Sequence, residues 1–226
     1  MILKLAKKLY GRIKNAFKPR FSSQEYWQDR YSKGGNSGSG SYNHLAEYKA
    51  EYLNTFVNDH KINSVIEFGC GDGNQAKLFK FNNYICLDVA PKSIEWCINA
   101  FKEDKSKSFF LYDYRYFQDN NGIFKCDLAM SLDVLYHLIE PEVYETYLKH
   151  LFQSANKYVL IYSSNADVPQ PHRQFHVRER VFTNDVARLI TDFKFIRRDE
   201  NKYSTRLIKE EDMGSLADFY LYERIQ

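Results

Sequence analysis

The sequence is poor in the features that build disulfide frameworks, metal sites and membrane spans. It has only four cysteines (Cys70, Cys86, Cys97 and Cys126), and no two of them form a C-x-x-C pair. No apolar run approaches the roughly 20 residues that a membrane-spanning helix needs. Lysines interrupt the apolar residues at the start of the chain, which argues against a signal peptide. We therefore expect a cytoplasmic protein with reduced, mostly buried thiols and no metal site.

Negative charge is absent from the first 20 residues, which hold seven lysines and arginines. Because the net charge of the whole chain is only +3, the remainder is net negative, which argues against a nucleic-acid partner. Over residues 2–18 the apolar side chains share one arc of a helix and the basic side chains lie opposite. Such a helix either makes a peripheral contact with the anionic inner-membrane surface or packs against the domain with its basic side in water.

The sequence divides into two parts, residues 1–60 and 61–226. The first part contains the basic helix, a short helix at 24–31, a Gly/Ser-rich stretch at 34–41 and a long helix at 42–58. So many glycines and serines offer little to pack, and we expect 34–41 to form a mobile loop. The helices on either side of it would then belong to a lid.

The second part alternates between strand and helix patterns. Predicted strands cover residues 64–69, 83–88, 108–112, 126–131, 157–163, 193–199 and 216–223. Predicted helices cover residues 73–80, 91–103, 140–154 and 183–191. This alternation is typical of an α/β fold with a Rossmann-like, doubly wound and mostly parallel sheet. The last two strands have no helix between them, so we expect a hairpin that makes one strand antiparallel.

A glycine-rich segment, VIEFGCGDGN at residues 65–74, begins within the first predicted strand. In parallel α/β sheets, ligands bind at the carboxyl ends of the strands. The G-x-G-x-G spacing lacks the third glycine of the G-x-G-x-x-G dinucleotide fingerprint, and no Gly-Lys-Ser/Thr of a P-loop follows. Glu67 and Asp72 lie in this segment, and no lysine or arginine follows before Lys77. The local charge therefore favours a cation over a phosphate.

Two more acids follow the next predicted strands. Asp88 lies nineteen residues beyond Gly69, where an acid accepts hydrogen bonds from both hydroxyls of a ribose. Asp113 follows the third strand, in position to accept from an exocyclic amine such as that of adenine. A ligand with a sulfonium or ammonium, a ribose and an adenine satisfies all of these acids. We therefore expect S-adenosylmethionine as the cofactor and S-adenosylhomocysteine as its product.

Taken in order, these motifs resemble class I S-adenosylmethionine-dependent methyltransferases over about residues 60–223. The resemblance implies a seven-stranded sheet with an antiparallel strand near one edge. It assigns the amino-acid end of the cofactor to Glu67 and Gly69, the ribose to Asp88 and the adenine to Asp113. The implied cofactor-binding residues are Glu67, Gly69, Gly71, Gly73, Asp88, Asp113, Ser131 and Asp133. The alternatives are a Rossmann-type dehydrogenase and a relic that has lost its cofactor.

A narrower likeness links residues 26–49, 176–183 and 217–223 to methyltransferases of bacterial surface-polysaccharide (capsule and O-antigen) clusters. It implies O-methylation of a sugar, or of another substituent of a capsule or lipopolysaccharide, so the acceptor is a glycan or a small molecule. Two alternatives stay open. One is methylation of a small phosphorylated or phosphoramidate metabolite, and the other is a non-catalytic subunit that binds a partner enzyme.

The segment after the fifth strand carries candidate catalytic groups. Because it leaves the carboxyl end of that strand, residues 167–180 should lie over the cofactor. His172 and His176 are candidate bases for an alcohol acceptor, since histidine has a suitable pKa. Arg173, Arg178 and Arg180 would grip an anionic or glycosidic part of the acceptor. The alternative is a solvated basic loop whose arginines pair with surface glutamates.

The fourth strand leads into a turn at Asp133 and His137, close to the methyl group of the expected cofactor. His137 is either a third candidate base or a packed structural residue. Tyr31, Tyr42 and Tyr136 are candidates for stacking against a sugar, although most tyrosines of the chain belong to the core or the surface. The hairpin loop at 201–206 would close the site together with residues 34–41, or would form a plain exposed turn.

Overall fold

The computed structural model describes residues 21–166, 174–207 and 214–226. In this part of the chain the α-helices are α1 (Ser23–Ser32), α2 (Asn43–Asp59), α3 (Pro91–Ala100), α4 (Pro141–Gln153) and α5 (Phe182–Leu189). The strands are β1 (Ser64–Phe68), β2 (Asn83–Asp88), β3 (Lys107–Leu111), β4 (Cys126–Leu132), β5 (Ala155–Ser163), β6 (Phe193–Asp199) and β7 (Asp218–Arg224). Short 3₁₀ helices lie at Ser39–Ser41, Gln75–Leu78 and Leu135–His137.

The seven strands form one sheet in the order β3-β2-β1-β4-β5-β7-β6. Neighbouring strands from β3 to β5 are parallel, whereas β7 is antiparallel to both β5 and β6. The predicted hairpin and the single antiparallel strand are therefore confirmed. Strand order reverses at β1, which has β2 on one side and β4 on the other. In open α/β sheets such a reversal leaves a crevice at the carboxyl ends of the strands.

Two separate cores cover the two faces of the sheet. Along β1, Val65 packs into a cluster with α2 and α3, and Ile66 packs into another with α4 and α5. Successive side chains of a strand point to opposite faces, so helices cover both faces. The four residues from Val65 to Phe68 are all buried. This buried strand therefore fixes the position of the glycine loop that follows it.

Two local predictions differ from the structure. The helix expected at 73–80 is only the 3₁₀ turn Gln75–Leu78, because Phe79 and Phe81 leave the helical path and stack on each other in the core. The stretch 34–41 does pack, since Ser37 forms two hydrogen bonds with Asp72 of the glycine loop, at 2.8 and 2.9 Å. Hydrogen bonds to backbone and carboxylate thus replace the missing apolar contacts.

Three further predictions concern the cysteines, membrane-spanning helices and the basic helix at residues 2–18. All four cysteines are buried and none forms a disulfide, as predicted. No helix within the described ranges has the length and apolarity to cross a bilayer. The basic helix at 2–18, with its expected membrane contact, lies outside the described residues.

Candidate active site

The glycine loop turns sharply at the end of β1. Gly69 has φ +91° and Gly71 has φ +59°, in the left-handed region that strains other residues. A Cβ atom on Gly69 would lie 2.5 Å from Val134 Cγ2, and one on Gly71 would lie 2.2 Å from Ser37 Oγ. Both positions therefore require glycine for conformation and for space. Their backbone forms part of a cavity wall.

We name this cavity the inner cavity. It lies at the carboxyl ends of the central strands, and α1 covers it. Its lining includes Trp27, Tyr31, Gly69, Gly71, Asp88, Tyr112, Tyr114, Asp133 and His137. Among the described residues it has two carboxylates in its lining and no lysine or arginine. This charge suits a ligand that carries a positive group and does not suit a pyrophosphate.

Asp88 lies in the inner cavity, at the end of β2. Its carboxylate accepts hydrogen bonds from the backbone N–H groups of Gly71 and Ala90, both at 2.9 Å. Burial nevertheless raises the pKa of Asp88, because desolvation outweighs these hydrogen bonds. A carboxylate has about four lone-pair sites, so Asp88 retains acceptor capacity for a ligand hydroxyl.

Asp113 lies outside the inner cavity, in contrast to the predicted contact with an adenine. Its carboxylate pairs with Arg115 at 2.6 Å and accepts a hydrogen bond from Gln24 at 3.2 Å. The Arg115 guanidinium holds the pKa of Asp113 well below its usual range. The neighbouring Tyr112 and Tyr114 line the cavity in its place. The contact between Asp113 and an adenine therefore stays a prediction, and in the structure the carboxylate faces Arg115 and Gln24.

Glu67, Gly73 and Ser131 also do not line the inner cavity. Glu67 is buried and accepts a hydrogen bond from Tyr84, and burial raises the pKa of its carboxyl to about 7. Ser131 is fully buried and bonds to the hydroxyl of Tyr147 at 2.7 Å. A Cβ on Gly73 would lie 2.8 Å from the sulfur of Cys97 on α3. In the structure, these three residues pack against other parts of the fold and do not contact the cavity.

Asp133 occupies a strained position immediately after β4. Its φ is +59°, which is uncommon for a residue with a side chain. Its carboxylate accepts a hydrogen bond from Tyr136 at 2.9 Å and pairs with Lys49 at 2.5 Å. Lys49 is completely buried, and no sequence pattern indicates its role because it lies within the apolar face of a helix.

A second cavity, the outer cavity, adjoins the first. Its lining includes Trp27, Arg30, Ser37, Asp133, Tyr136, His137, Ser164, His176, Glu179, Thr205 and Ser215. The two cavities share Trp27, Ser37, Asp133 and His137. A group transferred between a ligand in one cavity and a ligand in the other would pass beside these four residues.

His137 is a neutral histidine at this junction. Burial lowers the pKa of its imidazole to about 4. Its Nδ1 lies 3.1 Å from the backbone carbonyl oxygen of His176. A carbonyl only accepts hydrogen bonds, so Nδ1 carries the proton and Nε2 has a free lone pair. The ring also packs edge-on against Trp27 at 4.9 Å between centroids. His137 is therefore both packed and able to accept a proton.

Of the other two candidate bases, the structure describes only His176. His176 lines the outer cavity, stacks on Tyr26 at 4.4 Å and on His137 at 5.3 Å, and has a lowered pKa because of burial. Its Nδ1 is buried without a hydrogen-bond partner among the described residues. His172 lies outside the described residues, as does Arg173.

The predicted acceptor-binding side chains are only partly brought together. Arg178 and Arg180 line neither cavity; both donate to the carbonyl oxygen of Ile139, at 3.2 and 3.0 Å. Of the three tyrosines, Tyr136 lines the outer cavity and Tyr31 the inner one, whereas the hydroxyl of Tyr42 donates to Asp72 and lines neither. Arg30, which was not predicted, supplies a guanidinium to the outer cavity.

The roof of the inner cavity comes from the first part of the chain. Trp27 and Tyr31 lie four residues apart on α1, so both face the cavity. The hydroxyl of Tyr31 bonds to Ser37 Oγ at 3.0 Å. Their i, i+4 spacing was the sequence signal that could have assigned Trp27 to the site. No group of three or more histidine, cysteine or acidic side chains arranged for a metal ion occurs in the described ranges.

Comparison with known proteins gives one family. A family model described as a methyltransferase domain matches residues 42–204. No curated protein matches the chain. Several solved structures share the fold. The N-methyltransferase NodS from Bradyrhizobium japonicum WM9, in complex with S-adenosylhomocysteine, is 13% identical with a TM-score of 0.66, and the match covers 91% of this chain and 100% of that one.

Two other structures are similar at the same level. Magnesium protoporphyrin IX methyltransferase (ChlM) from Synechocystis PCC 6803 with bound S-adenosylmethionine is 16% identical, with a TM-score of 0.63 and coverage of 92% and 100%. The methyltransferase domain of bacterial CtHen1 is 17% identical, with a TM-score of 0.63 and coverage of 81% and 100%. At these identities the likeness shows the fold. Because the family model spans most of the chain, the chain belongs to the methyltransferase domain family.

Proposed function

We propose that this protein is an S-adenosylmethionine-dependent methyltransferase that methylates a hydroxyl of a sugar in a bacterial capsule or surface polysaccharide, or in its precursor. The observation that carries the proposal is the junction of the two cavities. There, a neutral His137 with a free Nε2 lies in the walls of both cavities. An acceptor hydroxyl needs such a proton acceptor.

The inner cavity fits the cofactor by its chemistry. When bound, S-adenosylmethionine supplies a methyl group on a positively charged sulfur. Asp88 would accept the ribose hydroxyls, and the backbone of Gly69 and Gly71, which lines the cavity, would lie against the cofactor. The carboxylate of Asp133 would face the positive end of the cofactor. The lining has two carboxylates, of which Asp133 already pairs with Lys49 behind it, and no lining lysine or arginine among the described residues, which supports this orientation.

His137 would act on the acceptor. As the acceptor oxygen takes the methyl group, that oxygen becomes positively charged and its proton becomes strongly acidic. The proton then passes to Nε2, while Nδ1 keeps its hydrogen bond to the carbonyl of His176. A base whose pKa is about 4 stays unprotonated at neutral pH and can take the proton in the transition state, where the acceptor oxygen has become more acidic.

The outer cavity favours an uncharged acceptor that is rich in hydroxyls. Its lining combines serine and threonine hydroxyls with Trp27 and Tyr136, which suit the polar and apolar faces of a sugar. Among the residues that the structure describes, its lining holds the carboxylates of Asp133 and Glu179 and the guanidinium of Arg30, whose Nε already donates to the carbonyl of Asn36 at 2.7 Å. This balance disfavours a phosphorylated or phosphoramidate acceptor.

Two measurements test the proposal. Calorimetry should show S-adenosylhomocysteine binding to the wild type. Labelled S-adenosylmethionine should then transfer its methyl group to methyl glycosides of glucose, galactose, mannose or N-acetylglucosamine faster than to the 6-phosphates of these sugars. Faster methylation of the phosphates would favour the alternative acceptor class. Cofactor binding without turnover of any acceptor would instead indicate a partner-binding subunit, and absent binding would overturn the proposal.

A further inference from the structure

Lys49 is a buried charge that no sequence pattern explains. It lies on α2, its side chain is 0% exposed, and its ammonium lies 5.1 Å from the centre of the Tyr162 ring. Burying an ammonium is unfavourable unless a partner compensates the charge. That partner is Asp133, at 2.5 Å from Nζ to Oδ2. This ion pair links α2, which precedes the sheet in the chain, with the turn that follows β4.

The carboxylate of Asp133 is held from two directions at the junction of the inner and outer cavities. Lys49 donates a hydrogen bond to Oδ2, and the hydroxyl of Tyr136 donates one to Oδ1. Each oxygen has two lone-pair sites, so each keeps one for a ligand. Space at this point is tight, because a Cβ on Gly40 would lie 2.9 Å from Oδ2. The carboxylate is thus fixed in place but still available to both cavities.

Apolar pairs of similar volume often stabilise a fold as well as a buried ion pair does. The burial of Lys49 and Asp133 is therefore weak evidence for a role in stability. We propose that Lys49 is a positioning residue for methyl transfer. It fixes the Asp133 carboxylate so that this group orients the acceptor hydroxyl toward the methyl donor, beside His137. This inference rests on the function proposed above.

The test compares four variants with the wild type. Lys49→Met removes the ammonium at similar size, Lys49→Arg keeps a cation, and the double variant Lys49→Met/Asp133→Asn removes both charges. Lys33→Met is the matched control, because Lys33 pairs with Asp29 on the surface. For each, we would measure the melting temperature, the Kd of S-adenosylhomocysteine, and kcat and KM with the methyl glycoside that the wild type methylates fastest.

We expect Lys49→Met to lower kcat about 100-fold, as a misplaced group near the reacting atoms does, with the Kd of S-adenosylhomocysteine within about threefold of wild type. Lys49→Arg should retain more of the wild-type kcat than Lys49→Met, and Lys33→Met all of it. The double variant should have the melting temperature of the wild type but the low kcat of Lys49→Met.

Two results would overturn the inference. If Lys49→Met kept its kcat within threefold, or if the double variant regained both stability and turnover, Lys49 would be a structural residue only, and the proposed function would stand. If the wild type bound S-adenosylhomocysteine but methylated no glycoside or sugar phosphate, the proposed function would fail, and this inference with it.

Discussion

The inner and outer cavities share a wall but are built in different ways. The inner cavity combines the backbone of the glycine loop after β1 and Asp88 at the end of the next strand with side chains of α1 and of the turns after β3 and β4. The outer cavity takes its shape from side chains of separate segments, from Trp27 on α1 to Ser215 near β7. Backbone recognition suits a ligand that does not vary, whereas side chains from loops suit a ligand that does. Changes in the inner cavity should therefore alter cofactor affinity, and changes at the junction should alter turnover.

The largest effect is expected at the junction. His137→Asn keeps an amide N–H that can donate to the carbonyl of His176 but removes the proton-accepting Nε2. General-base catalysis contributes typically 10²–10⁴-fold, most with a base whose pKa is near the operating pH. Because the pKa of His137 is about 4, kcat should fall by about 10²–10³-fold, the lower part of that range. The Kd of S-adenosylhomocysteine should change less than threefold. Steady-state kinetics with the best methyl glycoside, together with calorimetry, measures both quantities.

His60→Ala is a suitable control for this variant. His60 stacks on Phe56 at 4.0 Å between centroids and is remote from both cavities. Its removal should leave kcat unchanged. Full activity of His137→Asn would remove His137 from the base role and would direct attention to His176, the other histidine among the described residues that line the outer cavity.

The second largest effect is expected in the inner cavity. Asp88→Ala removes the acceptor for the ribose hydroxyls and also releases the N–H groups of Gly71 and Ala90. Hydrogen bonds to charged groups contribute about 1.5–3 kcal/mol each, so the Kd of S-adenosylhomocysteine should rise about 100-fold in calorimetry. Because a collapsed glycine loop would also weaken binding, the melting temperature needs to be measured in parallel. Tight binding by a folded Asp88→Ala protein would contradict the ribose role.

Acid pH should lower the free energy of unfolding, because His137 is neutral in the folded protein. The pKa of His137 is about 4 in the folded protein, below its ordinary value near 6.5. Below pH 6.5 the unfolded chain binds a proton that the folded protein does not. The contribution of His137 to stability is therefore complete above pH 6.5, falls as the pH drops and levels off near pH 4. At pH 5 the loss is about 2 kcal/mol.

Urea unfolding at pH 7 and pH 5 measures this loss. In His137→Asn the difference in unfolding free energy between the two pH values should be smaller by about 2 kcal/mol than in the wild type. An equal difference in both proteins would mean that His137 has an ordinary pKa and is not enclosed at the junction. The acid limb of the kcat profile should likewise lie near pH 4.

The sequence predicted the sheet and the inner cavity better than the outer one, for a physical reason. Strand periodicity and glycine spacing are local properties, so β1 to β7 and the loop at Gly69 and Gly71 were placed nearly correctly. Contacts between distant segments leave no local pattern. The ion pair of Lys49 with Asp133 joins residues 84 positions apart, and nothing in the apolar face of α2 indicates it. Glu67 fits the family motif, yet only the fold shows that its carboxyl faces Tyr84.

The smallest effect is expected at Asp113, which the sequence pattern assigns to the adenine and which lies outside the inner cavity of the structure. Asp113→Ala removes an ion pair with Arg115, and the Arg115 side chain is 54% exposed. Exposed ion pairs contribute about 0–1 kcal/mol. Because Asp113 lies outside the inner cavity, the variant affects a ligand there only through Gln24, which lines that cavity and loses its 3.2 Å hydrogen bond. The Kd of S-adenosylhomocysteine should therefore rise less than threefold in calorimetry. A rise above tenfold would mean that Asp113 turns into the cavity when the cofactor binds, and would restore the adenine contact that the motif implied.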